Sequence, residues 1–298
     1  MKRYVIVGNG VAGTTAAEHI RKLDPEGPVT IFTEEDLPFY WRIRLNEFIA
    51  GETDEAGLVS KKPDWYRGLG IDLRTGTRIV NGDSQKKAVA TEKGDEIPYD
   101  ELLVAAGSHS FIPPIGGSEK KGVFALRSIQ DAREISEWIE TADKAVLIGG
   151  GLLGLEAGNA LLKRNLKVTV VEFFPRLLPR QLDEEGAKRL QGMMEEMGFA
   201  FRLGAKTKEI RGEDRVSEVF LEGGEKLPAQ AVVISAGVRP NLDLAEPLGL
   251  DVDKGIKVDE ALRTSRPHVY AAGDVAQFGE MPYGIWPAAM EQGQVAGA

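Results

Sequence analysis

Two six-residue stretches carry the most specific chemistry in this sequence: Gly8-Asn9-Gly10-Val11-Ala12-Gly13 and Gly149-Gly150-Gly151-Leu152-Leu153-Gly154. Both have the G-x-G-x-x-G spacing. Its first glycine permits a tight turn, its second lets backbone approach a pyrophosphate with no Cβ in the way, and its third lets a helix pack closely on a strand. A helix that begins at such a turn points its free N–H groups and the positive end of its dipole at the phosphates, so an anion is held without a basic side chain. Each motif is followed by an acid, Glu34 and Glu172, at the separation of roughly twenty residues where a carboxylate accepts hydrogen bonds from a ribose. One such motif alone could be a packing turn; two, each with its acid, predict two dinucleotide sites.

The flanking pattern supplies the elements that must position these residues. Apolar runs at 4–7 and 145–148 read as buried parallel strands, helical patterns follow at 11–23 and 152–164, and second strands follow at 29–32 and 168–171. Each motif therefore opens a βαβ unit. Between them come the aromatic and basic loop Phe39-Tyr40-Trp41-Arg42-Ile43-Arg44, a short helix near 64–68, hairpin-like strands to about residue 91, and a strand at 102–105 ending in Ala106-Gly107. Pro113-Pro114 with Gly116-Gly117 marks one domain crossing and Gly237-Val238-Arg239-Pro240-Asn241 a second, with an amphipathic helix at 183–197 between them. The stretch beyond the second crossing is too short for a third domain and is expected to return to the first. The sequence thus predicts an α/β protein of two Rossmann-like, three-layer domains, residues 114–238 being inserted between 1–113 and 239–298.

Composition narrows the function classes. A chain of 298 residues, 42% apolar and 28% charged, is ordinary for a globular enzyme. A strand that starts by Tyr4 leaves no room for a signal peptide, and the apolar stretch 145–162 contains five glycines, Glu156 and Asn159. It reads as strand, turn and helix rather than as a membrane span, so a cytoplasmic protein is expected. A net charge of −9 argues against a nucleic-acid surface. With no cysteine there is no disulfide, no thiolate-held zinc or iron–sulfur cluster and no redox dithiol among these residues. The three histidines, His19, His109 and His268, lack metal-ligand spacing, and no metal is expected. Apart from Glu34, the acidic clusters Glu34-Glu35-Asp36 and Asp183-Glu184-Glu185 read as solvated faces or helix starts.

A third segment, Thr264-Ser265-Arg266-Pro267-His268-Val269-Tyr270-Ala271-Ala272-Gly273-Asp274, lies downstream of both motifs. With it, nearly the whole chain resembles the two-dinucleotide-binding flavoproteins of the pyridine nucleotide-disulfide oxidoreductase superfamily. Within them it is similar to the thiol-free NADH-dependent reductases: rubredoxin and ferredoxin reductases, and the flavin-bearing N-terminal part of NADH nitrite reductase large subunits. The resemblance implies FAD on Gly8, Gly10, Val11, Ala12, Gly13 and Glu34, and NADH on Gly149, Gly151, Leu152, Leu153, Gly154, Glu172 and Gly237. It also implies that Asp274 hydrogen-bonds the ribityl chain, that Arg42 of Tyr40-x-Arg42-x-x-Leu45 contacts the flavin, that Ile79 covers the adenine and that Arg127 approaches the flavin. Ala106-Gly107 matches a family turn whose threonine is replaced here, which removes a hydroxyl. Some relatives carry a lysine two positions beyond the loop leucine, where this chain has Glu47, so a Lys–Glu ion pair is not expected. Such reductases continue into a small interface domain that covers the flavin and often forms a dimer contact. That domain is expected to be absent from these residues, with a homodimer as an open alternative.

In such a reductase hydride passes from nicotinamide to flavin N5, and the reduced flavin needs a positive field near N1. The segment 283–293 reads as a helix with Pro287 at its first position. Its N-terminus beside Trp286 would supply that field, as the resemblance implies. Glu156 would accept a hydrogen bond from the nicotinamide carboxamide and is the one side chain given a catalytic role. Opposite a 2′-phosphate, Glu172 would set like charges a few ångström apart, about 4 kcal/mol at an effective dielectric of 20. NADH is therefore expected over NADPH, with Arg176 and Arg180 near enough in sequence to blunt the preference. The expected function is an FAD-dependent NADH oxidoreductase that passes electrons to a rubredoxin, a ferredoxin or a nitrite reductase module. An NADH oxidase acting on oxygen and an NADH-binding sensor with little turnover are the alternatives. Arg42 and Arg44, with Lys61-Lys62, are expected to steer an acidic acceptor.

Overall fold

Alternation along the first strand decides how its unit is layered. Val5 and Val7 share a core with Leu102, Val104, Val269 and Ala271, while Ile6 between them joins Ala16, Ala17, Ile31 and Leu103. This is what the two-residue period of a strand requires when both faces of a sheet are covered. The computed structural model describes Met1–Ala298. It arranges five parallel strands in the order Val269–Ala271, Glu101–Val104, Tyr4–Val7, Val29–Phe32, Ile71–Arg74. Ile6 and Ile31 face each other in register with no solvent exposure, and burial of each contributes roughly 1.5–3 kcal/mol. The helix Val11–Leu23 covers the Ile6 face with Ala12, Ala16, Ala17 and Ile20. The helix Trp286–Ala296 crosses it so closely that a Cβ on Gly293 would come within 2.5 Å of the Ala12 carbonyl. Ile79 and Val89, from an antiparallel meander of Ile79–Asp83, Ala88–Thr91 and Glu96–Pro98, close the other face.

The second unit repeats this plan. Its parallel strands run in the order Ala200–Leu203, Lys167–Glu172, Lys144–Ile148, Ala231–Ile234, Val123–Ala125. A meander of Thr207–Arg211, Glu218–Leu221 and Lys226–Pro228 sets Ile210, Val219, Leu221 and Leu227 against Val146, Ile148, Val171, Val232 and Ile234. On the other face, Gly158 of the helix Leu152–Lys163 lets that helix settle onto Leu147 and Phe199. Two further helices are capped by residues visible in the sequence. Ser128 and Asp131 form a reciprocal capping box on Ile129–Trp138, and Asp183 accepts from the Gly186 N–H at the start of Glu184–Glu196. In both units the succession is strand, helix, strand, helix, strand, meander, strand, the second helix being Pro63–Gly68 in the first unit and Glu184–Glu196 in the second. The fifth strand is taken from downstream in the first unit and from upstream in the second.

The first unit comprises Met1–Trp41, Val59–His109 and Arg239–Ala298, the second Arg42–Leu58 and Ser110–Val238. In this division Arg42–Leu58 groups with the second unit, whereas the boundary expected from sequence keeps residues 1–113 together. The segment is tied into the second unit by Arg133 to Glu55 (2.7 and 2.8 Å), Lys163 to Glu52 (2.5 Å) and Arg164 to the Ile49 carbonyl (3.2 Å). Pro287 is also one position later than expected, because the helix starts at Trp286 with Ile285 as its cap. No helix is long and apolar enough to cross a membrane.

Candidate dinucleotide-binding sites

Both glycine turns have the same backbone. Gly8 and Gly149 have φ of +112° and +115°, and a Cβ on either would fall onto a neighbouring strand's carbonyl, Ala105 or Ser235. The third glycines, Gly13 and Gly154, are pressed against the carbonyls of Gly8 and Gly149. The second glycines differ from these. Gly10 and Gly151 cap the helices Val11–Leu23 and Leu152–Lys163, take no side-chain cap, and have no heavy atom within 4 Å of where a Cβ would stand. Packing thus accounts for the first and third glycines, and open space at a helix N-terminus for the second. That is the cradle a pyrophosphate needs, and the residues present fit the two dinucleotides the sequence implies.

In the first unit the turn is fastened from below. Asn9 is buried, and its Oδ1 accepts from Thr14 Oγ1 (3.2 Å) and from Tyr66 Oη (3.1 Å), whose oxygen accepts from the Phe39 N–H (3.1 Å). The Asn9 Nδ2 donor is buried with no partner in the protein. Burial raises the Tyr66 pKa, keeping the phenol a donor. Glu34 lies off this network, with an exposed side chain 3.4 Å from Arg78. Asp274, in the short turn Gly273–Val275, accepts from Ser108 Oγ at 2.8 Å, so a hydroxyl absent at Ala106 stands two residues later. Asn241 holds the same turn: its side chain donates to the Ala106 carbonyl (2.7 Å), its backbone N–H donates to the Gly107 carbonyl (3.0 Å), and its Oδ1 meets His109 Nδ1 (2.7 Å). Gly107 itself has φ of +70°. Trp286 stacks on Trp41 with ring centroids 5.1 Å apart, and Phe39 leans on both. Ile79 is buried in the core with Phe32 and Ala245.

In the second unit the turn is fastened by the acid itself. Glu172 is 7% exposed; Oε2 accepts from the Gly150 N–H at 2.5 Å and Oε1 from the Phe174 N–H at 2.8 Å. Leu152 and Leu153 at the first turn are exposed, as are Phe173 and Phe174, which meet edge to face. Arg176 is spent locally, donating to the Pro179 carbonyl (3.2 Å) and lying 4.0 Å from Glu184. Glu156 projects from one turn into the helix. Its side chain reaches solvent, yet surrounding protein desolvates it enough to raise its pKa above the usual glutamate range. Asn46 Nδ2 donates to Glu156 Oε2 at 3.3 Å. Arg127 lies just ahead of the Ser128 cap; its N–H donates to Asp131 and its carbonyl accepts from Arg42 Nη1 at 2.6 Å. Gly237 has φ of +101°, and its carbonyl accepts from the Phe111 N–H.

The structure therefore gathers Gly8, Gly10, Val11, Ala12 and Gly13 into one cradle and Gly149, Gly151, Leu152, Leu153, Gly154 and Glu172 into another. Sequence reasoning missed Asn9, Tyr66, Ser108, Asn241 and Asn46. Asn9 occupies a variable position of its motif, and the other four act on partners far away in sequence. The expected basic steering surface is reduced: Arg44 pairs with Glu47 (2.6 Å), and Lys61 sits 4.5 Å over the Trp65 ring.

A family model described as pyridine nucleotide-disulphide oxidoreductase matches residues 2–293. The nitrite reductase [NAD(P)H] of Bacillus subtilis (strain 168) is 39% identical over 99% of this chain and 37% of its own length. The rubredoxin-NAD(+) reductase of Pseudomonas putida is 34% identical over 91% of this chain and 71% of its own. Among solved structures, a NAD-dependent persulfide reductase from A. fulgidus superposes with a TM-score of 0.93 at 32% identity, covering 99% of this chain and 58% of that one. The chain thus spans little more than a third of the nitrite reductase's length.

Proposed function

Since the chain belongs to the pyridine nucleotide-disulphide oxidoreductase family, we propose that its first unit holds FAD, its second holds NADH, and the pair forms an oxidoreductase that feeds a protein electron acceptor. The observation that carries this reading is the pair of open cradles at Gly10 and Gly151, each at the N-terminus of a helix long enough to present a dipole. When bound, FAD supplies the chemistry: it accepts a hydride from dihydronicotinamide and releases the electrons to an acceptor.

The protein binds and orients. The N–H groups after Gly10 and after Gly151 would hold the pyrophosphates. Asp274, oriented by Ser108, would bind the ribityl chain, with Glu34 on the ribose, Ile79 at the adenine, the Ala106-Gly107 turn behind the ring, and Arg42 and Arg127 at the flavin. The N-terminus of the helix at Trp286 would offset negative charge on reduced flavin. Glu172 would accept from ribose hydroxyls while its two backbone donors hold it in place, which disfavours a 2′-phosphate. Leu152, Leu153 and Gly237 would line the NADH groove, and Glu156 would accept from the carboxamide. A rubredoxin or a nitrite reductase module is the acceptor class that the named relatives support, and the lack of any thiol that could relay electrons within these residues favours such a separate acceptor, a ferredoxin included.

Anaerobic stopped-flow mixing of the FAD-loaded chain with NADH tests the reading. Bleaching of the flavin's visible absorption at about 1 to 1,000 per second, much slower with NADPH, and reversal by oxidised rubredoxin are expected. No bleaching in protein shown to hold FAD would overturn it.

A further inference from the structure

Glu156 has no cationic partner of the kind some similar reductases place near it. Glu47, which stands at that position, is engaged by Arg44 through Nε (2.8 Å) and Nη2 (2.6 Å). The group that meets Glu156 is the neutral amide of Asn46, from the short helix Leu45–Ile49. The other end of that amide shows why it is turned this way. Asn46 Oδ1 is buried without a hydrogen-bond partner, an unfavourable state for a carbonyl. The reverse orientation would press it against a carboxylate oxygen, acceptor on acceptor.

Asn46 is thus oriented by Glu156, while its backbone is anchored separately. Arg164 to the Ile49 carbonyl, Lys163 to Glu52 and Arg133 to Glu55 fasten the segment at three points that follow Asn46. Glu156 Oε1, in contrast, takes no donor from the protein. A neutral donor leaves the carboxylate charge uncancelled, consistent with a pKa that burial raises and no cation lowers.

We propose that Asn46 is a positioning residue for Glu156: it holds Oε2 so that Oε1 is presented as the acceptor for the carboxamide of NADH. This rests on the proposed role of Glu156 at that carboxamide.

Anaerobic calorimetric titration of NADH into the full chain, at matched FAD content with the flavin reduced beforehand so that only binding is read, tests the proposal in the wild type, Asn46→Ala, Glu156→Gln and the double variant. Asn46→Ala should weaken NADH binding about three- to tenfold, the range of one neutral hydrogen bond. In the Glu156→Gln background the same change should add nothing, because the two residues act as one. Asn46→Asp, isosteric and therefore safe against a failure to fold, should weaken binding more by setting a second carboxylate against the first. Unchanged affinity in Asn46→Ala, or losses that simply add in the double variant, would overturn the positioning role. If Glu156→Gln weakens binding and Asn46→Ala does not, only Asn46 is reassigned. If neither does, the role of Glu156 falls as well.

Discussion

The first glycine turn rests on an amide, a hydroxyl and a phenol, Asn9, Thr14 and Tyr66, whereas the second is latched by a carboxylate, Glu172, on the Gly150 N–H. The backbones match residue for residue: Gly8 N–H donates to the Phe32 carbonyl and Gly149 N–H to that of Val171. In that register Thr33, not Glu34, corresponds to Glu172. Glu34 stands one residue farther along and is exposed. One fold therefore fastens its phosphate turn in two ways, with a neutral network in one unit and a fixed negative charge in the other. On the proposed reading, only the second would build discrimination against a 2′-phosphate into the latch itself.

The strongest way to break this comparison is to add single methyl groups. Gly149→Ala and Gly8→Ala place a Cβ on a backbone carbonyl at a φ that L-residues rarely adopt, and should cost several kcal/mol, seen as a collapse in melting temperature or soluble yield. Gly151→Ala and Gly10→Ala meet open space. Each should shift the melting temperature by less than about 2 °C while weakening NADH or FAD binding, respectively, at least tenfold, a separation that titration of each variant would reveal.

Glu172→Gln comes next. Losing a charged acceptor is worth about 1.5–3 kcal/mol, so NADH should bind roughly ten- to a hundredfold more weakly and the NADH over NADPH ratio should narrow. Within the protein Glu34→Gln removes an exposed ion pair with Arg78 and should change stability by less than about 1 kcal/mol, its effect falling on FAD rather than NADH affinity; parallel titrations and melts compare the two. Tyr66→Phe leaves Asn9 and the Phe39 N–H short of a partner and should destabilise the first unit by about 1–3 kcal/mol, with FAD content falling and NADH affinity retained.

The smallest effect is a pH dependence. Burial lifts the Glu156 pKa, so its proton returns at a pH above the ordinary glutamate range, and the protonated acid loses acceptor capacity. NADH affinity should therefore decline as pH falls through that raised value. Glu156→Gln should flatten the profile, as a binding series from neutral to mildly acidic pH would show.

The elements were legible where one local signal dominates. The helix at 11–23 and the capped helix after Asp183 carry period, cap and punctuation in adjacent residues. The latch was half legible: the acid is visible in sequence, but the register of a strand against a turn is a matter of one residue and cannot be counted from spacing. Ser108 with Asp274, and Asn46 with Glu156, lie 166 and 110 residues apart, and nothing local marks them as pairs. The grouping of Arg42–Leu58 with the second unit was not legible, because it involves ion pairs to residues far along the chain, Arg133 and Lys163 among them.

The interleaving of the two units fixes an order of completion during synthesis. Every residue of the second unit has been made once Val238 is added. The first, although it begins the chain, waits for its edge strand Val269–Ala271 and for the helix Trp286–Ala296 that closes over Val11–Leu23. At about 5–20 residues per second the growing chain spends roughly ten to thirty seconds with Glu101–Val104 as an unpaired parallel edge, because its partner Val269–Ala271 is made so much later, and such an edge invites pairing with a neighbour. The unit that begins this stretch of chain is thus the last of the two to be completed.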